Sequence, residues 1–186
     1  MKCSVYIATS VDGFIAQKDG GVEWLHTAGN TEADMESEDM GFQDFLNSVD
    51  CMIMGRKCME VISSFNLAPE QWPYGNLRIV VLSNTLKEPP ENLKNKVEMY
   101  SGDLRTLISQ LESEGHHYAY IDGGKTIQEF INLQLINEMT ITQVPVLLGE
   151  GITLFGKTEK HIKLEQAHAT AFANDFVQAK YTVNYQ

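Results

Sequence analysis

The chain has 186 residues, of which 43% are hydrophobic and 21% are charged, proportions typical of a folded globular protein rather than a disordered one. Its 14 basic and 25 acidic residues give a formal net charge of −11, which argues against a basic nucleic-acid-binding face and gives no attraction to an anionic membrane. No apolar stretch approaches the roughly 20 residues of a transmembrane helix. We therefore predict neither a nucleic-acid partner nor a membrane partner.

The first residues and the cysteines predict a cytoplasmic protein. The chain begins with one Lys and a short apolar run, which is too short and too strand-like for a signal peptide. The three cysteines lack CxxC spacing and are interpreted as reduced thiols. Cys3 and Cys51 are expected to be buried and inert, whereas Arg56 and Lys57 would lower the pKa of Cys58 if that thiol is exposed.

Strand-like and helix-like segments alternate along most of the chain. The first strand is separated from the first helix by a loop that several glycines interrupt, and Pro89-Pro90 falls in a turn. Three β-rich segments close the chain, and a hairpin-like turn at 174–176 separates the last two. In chain order, the predicted elements are a strand at 2–9, a helix at 34–48, a strand at 51–55, a helix at 56–65, strands at 77–84 and 97–101, a helix at 103–113, a strand at 117–122, a helix at 125–134, and strands near 138–148, 161–173 and 175–185.

This alternation predicts a single α/β domain over residues 1–186, with a mostly parallel sheet, helices on both faces and an antiparallel C-terminal hairpin. Ligands bind such sheets at the carboxyl ends of the strands. The predicted site therefore lies at the junctions 8–16, 54–58, 82–85 and 121–127.

Two of these junctions have the composition of a phosphate site. In "MGRK", residues 54–57, a glycine ends a strand and two cations open a helix, where they oppose the helix dipole unless an anion binds there. In "IDGGK", residues 121–125, paired glycines would permit close approach of a pyrophosphate, although the GxGxxG spacing is absent. The alternative for residues 54–57 is a solvated basic turn, and the alternative for residues 121–125 is a tight strand–helix turn. The residues alone do not decide between these structures and a phosphate site.

The other two junctions are less specific. "VLSNT", residues 81–85, ends a strand with side chains that bond a nucleotide or simply form a turn. In "SVDGFIA", residues 10–16, we expect Asp12 to bond its own turn more readily than to act in catalysis. Trp24 is either a cleft wall or core, and the acidic residues between Glu32 and Asp39 are interpreted as a solvated helix start.

Other chemistries have weaker support. The five histidines show no metal-ligand spacing, so we predict no metal site. The chain also lacks a GxSxG nucleophile elbow and a Walker phosphate loop.

Taken in order, the motifs resemble the dihydrofolate reductase superfamily. These motifs are "IATSVDGFIA", Trp24, "MIMGRKCMEVI", "IVVLSN" and "YIDGGKTIQEFI". "SVDGFIA" and "VPVLLGEGITLF", near 144–155, are more similar to the reductase domain of the bifunctional riboflavin-biosynthesis deaminase/reductase and to its small stand-alone bacterial relatives. The resemblance covers roughly residues 1–185 and implies a three-layer dihydrofolate-reductase-like fold with a mostly parallel sheet of about eight strands.

The resemblance implies that NADPH is the cofactor and that each junction contacts a different part of the NADPH molecule. Cys58 stands where dihydrofolate reductases usually carry Thr or Ser, which removes one hydroxyl contact to phosphate. The implied contacts are Ala8 and Ile15 with the nicotinamide; Gly55, Arg56, Lys57 and Cys58 with the phosphate region; Leu82, Ser83 and Asn84 with the adenosine end and its 2′-phosphate; and Gly123, Gly124, Lys125, Thr126 and Ile127 with the pyrophosphate.

The implied substrate-binding residues are Asp12, Trp24 and Thr142. Dihydrofolate reductases place a pterin-binding carboxylate five residues after the Trp, where this chain has Gly29, so Asp34 or Glu36 takes that role only if the loop is longer. Thr142 matches the Thr that supports that carboxylate.

The resemblance therefore implies a homodimeric reductase that passes hydride to a C=N or C=O group of a small heterocyclic or sugar-derived substrate, with no proton donor assigned. The alternatives are a nucleotide-binding sensor without turnover and a true dihydrofolate reductase.

Overall fold

The computed structural model describes residues 1–35 and 38–186 and contains one large sheet and one small ribbon. The strands are Lys2–Ser10 (β1), Phe14–Ala16 (β2), Cys51–Gly55 (β3), Arg78–Leu82 (β4), Glu98–Tyr100 (β5), Tyr118–Asp122 (β6), Glu138–Val144 (β7), Ile152–Thr153 (β8), Lys163–Ala171 (β9) and Val177–Asn184 (β10). The helices are Trp24–Thr27 (α1), Phe42–Ser48 (α2), Arg56–Ser64 (α3), Leu104–Ser113 (α4) and Gly124–Asn132 (α5).

The large sheet has eight strands in the order β5-β4-β3-β6-β1-β7-β10-β9. The six strands from β5 to β7 pair in parallel, and β10 is antiparallel to both β7 and β9. Strands β2 and β8 form a separate antiparallel ribbon. This arrangement confirms the predicted α/β fold with its antiparallel C-terminal hairpin.

Helices cover both faces of the sheet, which explains why its central strands are apolar throughout. Met52, Ile53 and Met54 of β3 are all buried, although successive strand side chains point to opposite faces. One face packs against α4 and α5, and the other packs against α2 and α3. In α4, apolar residues at helical spacing, from Leu104 to Leu111, form the buried stripe, and Asp103 caps the helix by accepting the N–H of Thr106 at 2.8 Å.

The predicted helix at 34–48 is wrong at its start, because α2 begins only at Phe42. The Asp39 carboxylate accepts the N–H groups of Gly41 and Gln43, at 2.9 and 2.7 Å, and so closes a turn before the helix. Met40 and Gly41 also have positive φ angles of 57° and 84°, which no helix contains.

Two further differences concern short elements near the site. The loop predicted between residues 10 and 24 contains β2, whose pairing with β8 depends on a segment far along the chain. Strand β7 ends at Val144 rather than near residue 148. Among the described residues, none of the helices has the length and apolar character needed to cross a bilayer.

Candidate functional site

The predicted junctions meet at one edge of the sheet, where the parallel strands end. Gly55 at the end of β3 lies opposite Leu82 of β4, and Met54 lies opposite Asp122 of β6. On the other side of β6, strand β1 runs on to Ser10. The structure therefore brings together the four chain segments that the sequence places far apart.

Two helices start side by side at this edge. Gly55 precedes α3 and Gly123 precedes α5, and neither helix has a side-chain cap or an acidic residue in its first turn. The first N–H groups of a helix have no partner within the helix and carry a partial positive charge. Two such termini on neighbouring strands suit an anion with several oxygens, such as a phosphate or pyrophosphate.

Three cations lie around the two helix starts in an otherwise acidic protein. Lys57 has a side chain that is 81% exposed and lies 2.9 Å from Glu60, which also pairs with Arg56 at 3.5 Å. Lys125 is exposed in the first turn of α5. Exposed ion pairs contribute little free energy, so Glu60 does not prevent these cations from binding a phosphate.

Arg56 also reaches towards the segment that follows β4. Its Nη1 lies 3.4 Å from Oγ1 of Thr85. In that segment the hydroxyl of Ser83 accepts the N–H groups of Thr85 and Leu86, at 3.3 and 2.9 Å, while Asn84 is exposed. The Ser83 hydroxyl is therefore used in a turn. The side chains of Arg56 and Asn84 can contact a ligand beside the segment that follows β4.

The packing around Gly123 and Gly124, which are both buried, requires glycine at each position. Gly123 has a φ of +93°, and a Cβ added there would lie 2.5 Å from Sγ of Cys58. A Cβ on Gly124 would lie 3.0 Å from both the Ile15 side chain and the Thr153 carbonyl oxygen. The tight-turn explanation therefore holds for both glycines, and a large substitution at Gly124 would displace the β2–β8 ribbon instead of testing ligand binding alone.

The side chains of Thr126 and Ile127 point away from solvent, with exposed fractions of 4% and 0%. Ile127 belongs to the apolar core, and Oγ1 of Thr126 lies where a Cβ on Gly55 would approach to 2.9 Å. Thr126 can therefore offer a ligand only its backbone groups, and the N–H of Ile127 is already taken because it donates to the Gly123 carbonyl oxygen at 2.8 Å.

Asp122 is a residue of this edge that the sequence analysis did not select. It ends β6, and burial raises the pKa of its carboxyl to about 6, although the N–H of Gly123 and the thiol of Cys58 both donate to it. The same burial, with the nearby Asp122 carboxylate, raises the pKa of the Cys58 thiol above its ordinary value. The condition under which Arg56 and Lys57 were expected to lower the Cys58 pKa, an exposed thiol, is not met, because that thiol is mostly buried against a carboxylate.

The raised pKa of Asp122 predicts a specific pH dependence of stability. Between about pH 4 and about pH 6 the folded state holds a proton that the unfolded state has lost, so the free energy of unfolding falls as the pH rises. The shift from 3.8 to about 6 corresponds to about 3 kcal/mol. Asp122→Asn should therefore match the wild type near pH 4 and exceed it in stability above pH 6, as measured by urea unfolding across the pH range.

The matched control for this measurement is Asp103→Asn, since Asp103 shows the opposite behaviour. The N–H and hydroxyl of Thr106 donate to its carboxylate and lower its pKa. Its contribution is present at neutral pH and is lost as the pH falls, so Asp103→Asn should destabilise at neutral pH and have no effect in acid. Parallel pH profiles for the two variants would contradict the assignment of Asp122.

The sequence left open whether Trp24 is a cleft wall or part of the core. The side chain is only 6% exposed and belongs to a small core. It packs with Val144 and Phe176, and the half-buried Ala8 and Met40 adjoin this cluster. Its Nε1 is buried and has no hydrogen-bond partner among residues 1–35 and 38–186. An unpaired buried N–H costs roughly 1–3 kcal/mol, so an acceptor at this position, whether a water or a ligand oxygen, would stabilise the protein.

Thr142 lies beside this cluster in a polar network. It sits on β7 opposite Ala8 of β1, and its Oγ1 accepts a hydrogen bond from the side-chain amide N–H of Gln178 on β10, with an N–O distance of 3.0 Å. The Gln178 amide also lies 2.9 Å from the Tyr6 hydroxyl and 3.1 Å from the Met40 carbonyl oxygen. Sequence analysis missed Gln178 and Tyr6, because only the pairing of β1, β7 and β10 brings them to Thr142.

Asp12 bonds its own turn, as expected, and also bonds a loop that is distant in the sequence. Its carboxylate accepts the Ser10 hydroxyl at 2.6 Å and the N–H groups of Leu148 and Gly149 at 3.1 and 2.7 Å. These bonds lower the Asp12 pKa. Asp12 thus anchors the loop after β7 at the mouth of the site. Asp34 is exposed, and Glu36 lies outside the described residues.

The strand order and the antiparallel C-terminal pair define a dihydrofolate-reductase-like α/β protein. The chain belongs to the RibD C-terminal domain family, whose sequence profile matches residues 2–178. The resemblance to riboflavin-biosynthesis reductases is thereby confirmed, and membership of this reductase-like family supports a reductase-like role.

Three known proteins illustrate this relationship. A Shewanella sp. PV-4 protein, named for riboflavin biosynthesis, has a crystal structure that superposes with a TM-score of 0.88 at 37% identity over 99% of each chain. YwjB of Bacillus subtilis (strain 168) is 32% identical over 88% of this chain and 87% of its own. Enterococcus faecalis dihydrofolate reductase, crystallised with NADP(H), shares the fold at a TM-score of 0.63 and 14% identity, over 98% of this chain and 96% of its own.

Proposed function

We propose that this protein is an NADPH-dependent reductase that passes hydride to a C=N or C=O group of a small heterocyclic or sugar-derived substrate. The observation that carries this proposal is the pair of helix starts at Gly55 and Gly123, which lack side-chain caps and are surrounded by Arg56, Lys57 and Lys125. A dinucleotide with a pyrophosphate and a 2′-phosphate fits this arrangement, because it needs several N–H donors and cations along one edge. The related dihydrofolate reductase was crystallised with NADP(H).

The residues of this chain have three tasks in the proposed reaction. Arg56, Lys57 and the N–H groups of α3 and α5 would bind the phosphates, and Asn84 would meet the adenosine end. The backbone of Ala8 and Ile15 would orient the nicotinamide, which supplies the hydride when it is bound. The Trp24 N–H, with Asp12 holding the loop of Leu148 and Gly149, would position the substrate on the opposite side and limit the access of water.

We also propose a cytoplasmic homodimer. All three cysteines are free thiols, which supports a reducing compartment. Every residue of the edge strand β9 is exposed, and such an edge is a pairing surface that a second copy would cover. A monomer mass by light scattering at micromolar concentration would contradict the dimer without affecting the proposed activity.

The proposed function is tested first by NADPH binding. The chain has two tryptophans, so the Trp72→Phe variant leaves Trp24 as the single fluorescent reporter. NADPH should quench that fluorescence and raise the thermal unfolding midpoint, with NADH giving a smaller effect. If neither response is seen, the reductase and the nucleotide-binding sensor are both excluded.

Turnover then separates the remaining alternatives. NADPH oxidation is followed by absorbance with a phosphorylated ribosylamino-pyrimidine and, separately, with dihydrofolate. Oxidation with the pyrimidine supports a riboflavin-type reductase, whereas oxidation with dihydrofolate alone identifies a folate reductase. Binding without oxidation of either compound favours a sensor.

A further inference from the structure

Three potential metal ligands meet at the edge of the sheet opposite the candidate cofactor site. Asp50 precedes β3, Cys51 is the first residue of β3, and His116 lies two residues before β6. One ligand atom from each residue lies within 4.8 Å of the other two. A ring nitrogen of His116, Nδ1, is 3.6 Å from Oδ1 of Asp50. Nδ1 of His116 also lies 3.1 Å from the Asp50 carbonyl oxygen, a contact that it would exchange for the ion if it served as the ligand atom.

Cys51 is fixed by the pairing of β3 with β4 and β6, and backbone hydrogen bonds hold Asp50 and His116 in place. The N–H of Asp50 donates to the Tyr118 carbonyl oxygen at 2.9 Å, and the Asp50 carboxylate accepts the His117 N–H at 2.8 Å. His116 follows the end of α4, where its N–H donates to the Leu111 carbonyl oxygen at 2.9 Å after Gly115 with a φ of +94°. Ligands carried by fixed backbone lose little freedom when a metal binds.

The donor set selects a particular class of metal. A thiol, an imidazole and a carboxylate together suit Zn²⁺, whereas Mg²⁺ and Ca²⁺ prefer oxygen ligands alone. A Cys51 thiolate and the Asp50 carboxylate would balance the two positive charges of the ion. The Cys51 side chain is buried, but His116 and Asp50 keep 21% and 40% of their side chains exposed, which leaves an approach from solvent and room for water.

We propose that Asp50, Cys51 and His116 form a binding site for one Zn²⁺ ion, with water as the fourth ligand. Binding replaces the thiol proton of Cys51, which is released to solvent, with a sulfur–zinc bond. The ion would tie the loop between α4 and β6 to the start of β3. The site lies at the amino ends of these strands, one strand length from Gly55 and Asp122, so it is independent of the proposed cofactor.

Cobalt is the probe for this site, because a cysteine-bound Co²⁺ ion absorbs in the near ultraviolet. The reduced protein, treated with chelator and desalted, is titrated with Co²⁺ and then with Zn²⁺. We expect a thiolate charge-transfer band at one equivalent of Co²⁺, its loss on Zn²⁺ addition, and a higher thermal midpoint with Zn²⁺. NADPH binding should not change.

Two variants make the test specific to these residues. His116→Ala and Cys51→Ser should each abolish the band and the rise in midpoint, while His161→Ala, which alters an exposed histidine elsewhere, should leave both unchanged. His116→Ala suffices if the buried Cys51 position does not tolerate serine. No band in the wild type, or a band that persists in His116→Ala, would overturn the proposal.

Discussion

Arg56→Ala should weaken the binding of NADPH much more than the binding of NADH. Arg56 opens α3 and extends to within 3.4 Å of Thr85, in the segment after β4 that the family resemblance assigns to the adenosine end. A hydrogen bond from a charged donor to phosphate contributes roughly 1.5–3 kcal/mol, which corresponds to roughly a 10- to 100-fold loss of affinity. Fluorescence titration of the wild type and variant with each nucleotide measures the difference.

Lys94→Ala is the control for Arg56→Ala, since it also removes an exposed cation that pairs with a glutamate of its own segment. Lys94 follows the turn at Glu91–Leu93, away from the helix starts, and its loss should leave both affinities unchanged. Raising the salt concentration should reduce the Arg56 effect only partly, because direct bonds to phosphate persist when long-range attraction is screened. An equal loss for NADPH and NADH would show that Arg56 does not contact a 2′-phosphate.

The fold was predictable because its signals are local and agree with one another. The apolar runs that became β3, β4 and β6 lie between polar, glycine or proline segments, and the stripe in α4 has helical spacing along its full length. The start of α2 was not predictable from spacing. Met35 and Met40 match the apolar pattern of a helix, but the Asp39 carboxylate accepts the N–H groups of Gly41 and Gln43 and forms a turn just before α2. Local hydrogen bonds of a carboxylate outweighed the apolar pattern there.

The location of the candidate site was also predictable, but the contacts of its side chains were not. Strand ends in a parallel sheet lie on one edge whatever the contacts are, so Gly55, Leu82 and Gly123 could be placed together from their order alone. The burial of Asp122 against Cys58 depends on how α3 packs over β6, which no spacing reveals. Gln178 reaches Thr142 only through the antiparallel pairing of β10 with β7.

The proposed zinc site illustrates the same limit for metal ligands. Asp50 and Cys51 are separated from His116 by the rest of β3, strands β4 and β5, helices α3 and α4 and their loops, so no short motif contains all three. They meet because β3 and β6 are neighbours in the sheet although β4 and β5 lie between them in sequence. The absence of a spacing motif therefore predicts nothing about ligands contributed by the starts of adjacent parallel strands.

Gly123→Ala should destabilise the protein by roughly 2–4 kcal/mol, for two separable reasons. The φ of +93° disfavours any residue with a Cβ, at a cost of about 1–3 kcal/mol. The new Cβ would also lie 2.5 Å from Sγ of Cys58, so the helix start or the thiol must move. Because Gly123 accepts the first helical N–H of Ile127 at 2.8 Å, such a movement would also disturb the proposed phosphate site. Urea unfolding measures the loss of stability.

A double-mutant cycle with Cys58→Ala separates the two reasons. Removal of Sγ relieves the contact but leaves the backbone cost, so the double variant should recover part of the stability that Gly123→Ala loses. Gly20→Ala is the matched control, because Gly20 also has a φ of +93° but no atom within 4 Å of the added Cβ. If Gly123→Ala proves no more destabilising than Gly20→Ala, or if Cys58→Ala gives no recovery, contact with the thiol is not what requires glycine at this helix start.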